Sequence, residues 1–138
     1  MEHVLQAGLA ERVVVFSRDE MKQSALAARL LPQHPDRLRF RLGDVRDLQR
    51  LLMAMDGCDT VVHCAALKVI GQGIVNPSEF VATNVVGTQN VLLAAMERGI
   101  KKVVVLSSDK AVSACNFYGN SKAMAESLAV HWNTYGFA

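Results

Sequence analysis

Short runs of apolar residues alternate along the chain with longer stretches in which apolar residues recur every third or fourth position. The short runs are rich in Val and Leu and predict strands at 12–16, 38–42, 60–64 and 102–106. The longer stretches predict helices at 19–30, 47–55, 77–98 and 118–134. Strands that alternate with helices, without an internal repeat, indicate an α/β fold built on a parallel sheet.

Proline and glycine mark the connections between these elements. The helix at 19–30 is followed by Leu31-Pro32-Gln33-His34-Pro35-Asp36 and ends there, because proline cannot continue a helix. Further turns are predicted at Asp56-Gly57 and at Gly71-Gln72-Gly73. Every connection is short, so we expect residues 1–138 to form part of one domain, with no linker to a second.

Composition and charge argue against several classes of partner. Apolar residues make up 51% of the chain, yet no run is long enough to cross a membrane. The net charge of +2 comes from interspersed charges of both signs, so we expect no nucleic-acid or membrane partner. We expect reduced thiols in a cytoplasmic protein without a bound metal, because Cys58, Cys64 and Cys115 are odd in number and lack metal-ligand spacing.

Candidate chemistry gathers after the last predicted strand. This strand delivers Ser107-Ser108-Asp109-Lys110 to its carboxyl end, where open α/β sheets place their ligands. Tyr118 and Lys122 then stand four apart and share a helix face, and an ammonium beside a phenol lowers the phenol pKa toward that of a general base. Alone, such a pair is usually solvated helix surface. Its place after the strand makes it a candidate site for reductase chemistry.

Five blocks, in this order along the chain, carry a family resemblance. They are Phe16-Ser17-Arg18-Asp19-Glu20 with Lys22-Gln23, Gly43-Asp44-Val45-Arg46-Asp47, His63-Cys64-Ala65-Ala66-Leu67-Lys68, Asn76-Pro77 through Thr83-Asn84, and Ser108-Asp109-Lys110-Ala111 before Tyr118. In these blocks the chain resembles the extended short-chain dehydrogenase/reductases of polysaccharide biosynthesis, most closely the inverting UDP-N-acetylglucosamine 4,6-dehydratases. The resemblance runs over nearly the whole chain.

The resemblance implies a partial Rossmann-like domain, whose doubly wound parallel sheet lacks its first strand and its glycine-rich loop. In this family the amides of that loop bind the pyrophosphate of a dinucleotide. Residues 1–8 instead match the last turns of the following helix, with Gly8 as its C-terminal cap. Residues 134–138 fall where the next strand would begin, so we expect both ends to be cut and the substrate-binding region to be absent.

The resemblance also implies NADP rather than NAD as the cofactor. Ser17, Arg18 and Lys22 follow the strand at 12–16, where an arginine accommodates the 2′-phosphate of NADP and an acidic residue favours NAD. A simple helix start is the alternative, with Ser17 or Asp19 as its cap and Arg18 solvated.

The remaining implied cofactor contacts follow the next two strands and the last helix start. Asp44 and Val45 are placed to meet the adenine, although Asp after a strand is also a common turn former. The short side chains of Ala65 and Ala66 leave room for a ribose. Tyr118 and Lys122 contact the cofactor as well as taking part in catalysis.

The implied reaction is an internal redox elimination on a nucleotide sugar. Tyr118, assisted by Lys122, removes the 4-hydroxyl proton as hydride leaves C4 for NADP. Lys110 takes the C5 proton and Asp109 protonates the departing 6-hydroxyl, after which hydride returns to C6. The implied substrate contacts are Ser108 and Lys68. The alternatives are a surface ion pair for Asp109-Lys110 and a solvated side chain for Lys68.

Two further points stay open at this stage. Asn84 interrupts a long helix and either satisfies a local backbone group or joins an active-site water relay. Ser113-Ala114-Cys115 replaces the Asn-Pro turn that the family usually carries before the tyrosine.

Three functions are therefore compatible with the chain. The first is a dehydratase acting on a UDP-sugar. The second is a nucleotide-sugar 4-epimerase or 4-reductase, for which Tyr118 and Lys122 suffice and Asp109-Lys110 is unnecessary. The third is a non-catalytic fragment. Homo-oligomer formation is possible in each case.

Overall fold

The computed structural model describes residues 2–135. The strands are β1 (Val13–Ser17), β2 (Leu38–Leu42), β3 (Thr60–His63) and β4 (Lys102–Val105). The helices are α1 (Glu2–Gln6), α2 (Glu20–Leu30), α3 (Leu48–Ala54), α4 (Ile70–Val75), α5 (Pro77–Phe80), α6 (Gly87–Glu97) and α7 (Phe117–Tyr135). A π-helical segment (Val81–Val86) joins α5 to α6, and a 3₁₀ turn (Asp109–Ala111) follows β4.

The predicted strands and helices are confirmed, and the chain divides into two compact units. These are Met1–Asp44 and Val45–Ala138. Each unit contains one two-stranded parallel sheet, β1 with β2 in the first and β3 with β4 in the second. The α/β class with parallel strands is therefore confirmed.

In the first unit, β1 and β2 run side by side from the Val13–Leu38 pair to the Ser17–Leu42 pair. The apolar core beside them contains Leu5, Leu30 and Leu38, which are at most 2% exposed. α2 begins at Asp19, whose carboxylate accepts a hydrogen bond from the Lys22 N–H at 2.9 Å. The interpretation of Asp19 as a helix cap is thus confirmed.

The end of α1 is fixed by a glycine and an arginine. Gly8 has a φ of 65°, and the Leu9 N–H donates to the Val4 carbonyl at 3.0 Å, which confirms Gly8 as the C-terminal cap. The guanidinium of Arg37 donates to the carbonyls of Leu5, Ala10 and Glu11 at 3.2, 2.8 and 3.2 Å. One side chain therefore satisfies three carbonyls where the chain leaves α1.

In the second unit, β3 and β4 pair from Thr60–Lys102 to His63–Val105, and α6 packs against β3, α3 and α7. The buried residues of α6 include Val91, Leu92, Ala94 and Ala95. These side chains form part of the apolar core of the second unit.

Two details differ from the expectations. The predicted turn at Gly71-Gln72-Gly73 is wrong, because these residues lie inside α4. Gly73 contacts the Phe80 ring, and a Cβ at Gly73 would lie 3.5 Å from that ring, so packing of α4 outweighs the low helix propensity of glycine. The predicted helix at 77–98 is continuous but contains the π-helical segment.

None of the helices among residues 2–135 combines the length and the apolar character needed to cross a bilayer.

Candidate active site

The first turn of α7 places Tyr118 and Lys122 next to the end of β4. Asn116 precedes the helix, and its Oδ1 accepts a hydrogen bond from the Gly119 N–H at 2.8 Å, which caps the first turn. Lys122 is only 6% exposed, and its Nζ donates to the Leu106 carbonyl at 2.6 Å. Burial lowers the pKa of Lys122. The ammonium thus ties α7 to the residue that follows β4.

A close backbone contact fixes the 3₁₀ turn against α7. A Cβ at Gly119 would lie 2.2 Å from the Lys110 carbonyl oxygen, a distance that no side chain tolerates. Only glycine therefore allows the turn to pack here, one residue after Tyr118. The contact brings Asp109 and Lys110 to the same helix end as the predicted catalytic tyrosine.

Asp109 and Lys110 form a close ion pair in this turn. Ser108 caps the turn: its Oγ donates to Asp109 Oδ1 at 3.1 Å and accepts from the Lys110 N–H at 3.3 Å. The Lys110 ammonium, followed by the Ser108 hydroxyl, lowers the pKa of Asp109. The Asp109 carboxylate raises the pKa of Lys110. Both side chains are exposed, so the arrangement also agrees with the alternative of a capped surface ion pair.

The turn that departs from the family pattern has an unusual backbone. Ser113 adopts a φ of 50°, the left-handed region that Asn enters more readily than Ser.

Asn84 connects three segments at the centre of the second unit. Its Oδ1 accepts from the Leu67 N–H at 2.7 Å, while its Nδ2 donates to the Leu67 carbonyl and to Ser121 Oγ, both at 2.9 Å. Ser121 Oγ in turn donates to the Tyr118 carbonyl at 2.7 Å. Asn84 is 1% exposed and satisfies both backbone groups of Leu67, which confirms the local backbone role.

His63 is a buried group that sequence reasoning missed. It ends β3, is 5% exposed, and its Nε2 lies 3.0 Å from Thr88 Oγ1. Thr88 Oγ1 donates its own proton to the Asn84 carbonyl at 2.6 Å, so His63 Nε2 carries a hydrogen and acts as the donor. Burial, followed by the charge of Lys122, lowers the pKa of His63 to about 4. The alternation along β3 could have indicated this inward position.

The segment after β3 carries the other predicted contacts of this unit. After Cys64, Ala65 is exposed and Ala66 half-buried. Lys68 is exposed. Short side chains at this position agree with the close approach expected for a ribose.

In the first unit, two cations lie beyond the end of β1, and each is paired with a carboxylate. Arg18 is half-exposed, and its Nη1 lies 3.3 Å from Asp44 Oδ2. Lys22 Nζ lies 3.0 Å from Asp19 Oδ2 and is largely exposed. Two accessible cations suit an anionic group such as a phosphate, which accepts charge-assisted hydrogen bonds. Asp44 partly offsets the charge of Arg18.

Gln23 fixes the strand end beside these cations. Its Nε2 lies 3.0 Å from both the carbonyl and the Oγ of Ser17 and 2.9 Å from the Arg41 carbonyl. The side chain is largely buried and joins the ends of β1 and β2. The Ser17 hydroxyl is thereby held in place beside Arg18.

The predicted cofactor residues are divided between the units. Asp44 ends the first unit and Val45 begins the second. Ser17, Arg18 and Lys22 belong to the first unit, and the remaining predicted residues belong to the second. The cations suit a phosphate group of a dinucleotide, and the small residues suit a ribose. Among residues 2–135, the cysteines are free thiols and no cluster of three or more potential metal ligands occurs.

Comparison with known proteins identifies the family. A family model described as polysaccharide biosynthesis protein matches residues 1–137. The chain belongs to this family. Its fold and its five sequence blocks are those expected of such a member, and the resemblance stated from the sequence is confirmed.

Two relatives in this family act on nucleotide sugars. The inverting UDP-N-acetylglucosamine 4,6-dehydratase of Campylobacter jejuni (strain 81-176) is 39% identical over 122 residues, which cover 88% of this chain and 36% of that protein. The UDP-glucose 4-epimerase of Rickettsia typhi is 45% identical over 120 residues, which cover 87% of this chain and 34% of that protein. The chain thus spans about a third of the length of these relatives.

Two solved structures share the fold. Pen from Bacillus thuringiensis has a TM-score of 0.91 and 36% identity, covering 99% of this chain and 43% of that one. A double mutant of the dTDP-glucose 4,6-dehydratase DesIV from Streptomyces venezuelae, with NAD bound, has a TM-score of 0.82 and 30% identity. That match covers 98% of this chain and 48% of the other. Members of the family and its structural neighbours therefore include nucleotide-sugar dehydratases and epimerases of the Rossmann type.

The contact between Gly119 and Lys110 predicts a large effect of one methyl group. Gly119→Ala should lower the free energy of unfolding by about 1–3 kcal/mol, because the turn or the helix must shift to relieve the overlap. Gly71→Ala is the matched control, since Gly71 lies in α4 with open space around its Cα. The control should be neutral or stabilising by up to about 1 kcal/mol. Urea unfolding, followed by circular dichroism, measures the free energy of unfolding of both variants. Equal stability of the two variants would contradict the close contact at Gly119.

The buried imidazole predicts loss of stability in mild acid. In the unfolded chain His63 binds a proton near its ordinary pKa of 6.5, whereas in the folded chain it does so only near 4. The unfolded state therefore holds more protons between these values, and stability is complete above pH 6.5 and falls as the pH drops toward 4. At about 1.4 kcal/mol per pH unit, the loss approaches about 3 kcal/mol.

The test compares urea unfolding of three proteins at several pH values. His63→Gln, whose amide can still donate to Thr88, should show a flatter dependence than the unaltered chain. His131→Gln replaces an exposed histidine of the same unit and should keep the full dependence. A His63→Gln curve that follows the unaltered chain would refute the assignment.

Proposed function

We propose that this chain contributes the cofactor-binding and proton-transfer residues of a nucleotide-sugar 4,6-dehydratase that uses NADP and a substrate of the UDP-N-acetylglucosamine type. The observation that supports this most strongly is the Asp109–Lys110 pair, held next to Tyr118 by the glycine contact. Epimerisation at C4 needs one acid–base group. Elimination of water across C5 and C6 needs two more, and this turn supplies them.

Oxidation at C4 is assigned to Tyr118. A bound nicotinamide supplies the hydride acceptor for C4 and later the hydride donor for C6. The Tyr118 hydroxyl takes the proton of the 4-hydroxyl, and Ser108 hydrogen-bonds the same oxygen. The Lys122 ammonium, one helical turn after Tyr118, is kept in place by its hydrogen bond to the Leu106 carbonyl.

Elimination is assigned to Lys110 and Asp109. A ketone at C4 acidifies the C5 proton, which Lys110 takes as an amine, while Asp109 gives a proton to the departing 6-hydroxyl. Water leaves and a C5–C6 double bond forms. Addition of hydride at C6 and of a proton at C5 would complete the reaction, so the net change is loss of one water.

The protonation states required are the reverse of those in the free chain. Asp109 is held as a carboxylate and Lys110 as an ammonium. Transfer of one proton from Lys110 to Asp109 produces the required acid and base together. A substrate that displaces water from the pair favours this transfer, because desolvation penalises both charged forms.

NADP is proposed over NAD because of the group beyond β1. Arg18, Lys22 and the Ser17 hydroxyl offer cationic and neutral donors to a 2′-phosphate, and the Asp44 and Asp19 carboxylates offset part of the cationic charge. The NAD found with DesIV shows the alternative within the fold.

The cofactor assignment is tested by titrating the chain with NADPH and NADH by calorimetry. Arg18→Asp should weaken NADPH binding at least about tenfold and leave NADH almost unchanged, because a charge-assisted bond to the 2′-phosphate is lost. Arg12→Asp makes the same charge change at the opposite end of β1 and serves as the control. Equal affinities of the unaltered chain for NADPH and NADH would reject NADP selectivity.

A second candidate is a nucleotide-sugar 4-epimerase. It is supported by the 45% identity to the Rickettsia typhi epimerase, which exceeds the 39% identity to the Campylobacter jejuni dehydratase. An epimerase would use Tyr118 and Lys122 in the same way and would leave Asp109 and Lys110 without a chemical role.

Mass spectrometry of the product separates the two functions. Incubation of the chain with NADP and UDP-N-acetylglucosamine should yield a product that lacks one water, and UDP-glucose should be a poorer substrate. Asp109→Asn and Lys110→Met should abolish the loss of water, while Lys101→Met, which alters an exposed ion-paired lysine, should not. Interconversion of sugars without a mass change, unaffected by either substitution in the turn, would favour the epimerase.

A further inference from the structure

Asn90 has no role in the proposed reaction, yet it makes two backbone contacts in the second unit. It lies on α6, and its Nδ2 donates to the carbonyls of Val45 and Arg46, each at 3.1 Å. These two residues begin the segment that leads into α3, which Asp47 caps through the Arg50 N–H. One side-chain amide therefore fixes two successive peptide groups.

The geometry of this contact defines the backbone of the segment. An amide nitrogen carries two hydrogens, so Asn90 can serve both carbonyls at once. Two adjacent carbonyl oxygens directed at one point repel each other unless a donor lies between them. The conformation of 45–46 thus depends on the Asn90 amide.

A second contact holds Val45 from its side chain. Gly87 lies three residues before Asn90 on the same face of α6, and a Cβ there would come within 2.7 Å of Val45 Cγ2. Val45 is 7% exposed and packs against the bare backbone of the helix. Arg46 is fixed as well, because its Nη1 pairs with Glu79 Oε2 at 2.9 Å.

These contacts leave one polar group of Val45 for a ligand. Its carbonyl is bound by Asn90 and its side chain is buried, and no residue in 2–135 accepts a hydrogen bond from its N–H. We propose that Asn90 is a positioning residue that holds the Val45 N–H toward the adenine ring, where the N1 lone pair accepts its hydrogen bond. This inference rests on the proposed cofactor and adds the residue that fixes its adenine edge.

The test compares NADPH with an analogue that contains 1-deazaadenine, in which C–H replaces N1 and the 6-amino group is kept. The unaltered chain should bind NADPH about tenfold more tightly than the analogue, the equivalent of one hydrogen bond. Asn90→Ala should weaken NADPH about tenfold and change the affinity for the analogue less than about twofold, so that the preference disappears. Gln89 is an exposed neighbour of Asn90 on α6, and Gln89→Ala should keep the preference for NADPH.

Gly87→Ala provides an independent second variant, because its methyl group displaces Val45 without touching the two carbonyls. Gly87→Ala should also remove the preference for NADPH over the analogue. If circular dichroism shows that Asn90→Ala does not fold, Gly87→Ala serves as the test variant. A variant that weakens both ligands equally would show a merely structural role and overturn the inference. The inference is also overturned if Asn90→Ala keeps the preference for NADPH, or if the unaltered chain binds both ligands equally. If the unaltered chain binds neither ligand, the proposed cofactor itself fails and the inference falls with it.

Discussion

The candidate active site depends on the hydrogen bonds of the buried Asn84 carboxamide. A buried amide must fill its donors and its acceptor, and Asn84 does so with both backbone groups of Leu67 and the hydroxyl of Ser121. The segment after β3 and the start of α7 can therefore adopt only one relative position. The π-helical segment makes this possible, because its wider turn buries Thr83 and Asn84 together.

The same network sets the charge in the interior of the second unit. Lys122 is buried with a carbonyl as its hydrogen-bond partner, and a second buried cation nearby would be strongly unfavourable. Burial, and after it the charge of Lys122, keeps His63 neutral. His63 donates its hydrogen to Thr88, and Thr88 donates to the Asn84 carbonyl. The interior of this unit therefore holds the Lys122 ammonium next to a neutral imidazole.

Much of the fold could be predicted from sequence because its periodicity is strong and its caps are local. Val13–Ser17 and Leu38–Leu42 were recognised from their apolar residues, and Gly8 and Asp19 act through contacts within a few residues. α4 and the π-helical segment were not predicted, and both pack against α7, which is distant in the sequence. The candidate site was found by its order along the chain. His63 and Asn90 act through contacts with residues 25 to 45 positions away, and Gly119 acts through a steric limit, so none of the three has a local sequence pattern.

The exposure of the Asp109–Lys110 pair matters for how the proposed reaction is controlled. Their side chains are 78% and 49% exposed, so in the free chain water stabilises the ion pair and keeps Lys110 protonated. Lys110 is then no base, and the turn cannot remove a proton from a passing carbon acid. Only a ligand that covers the turn removes that stabilisation and makes the neutral pair accessible. The base and the acid would thus be generated in the same event that positions the sugar, which confines proton abstraction to the bound substrate. Gly119 makes this coupling possible, because it allows the exposed turn to lie directly on the helix that carries Tyr118.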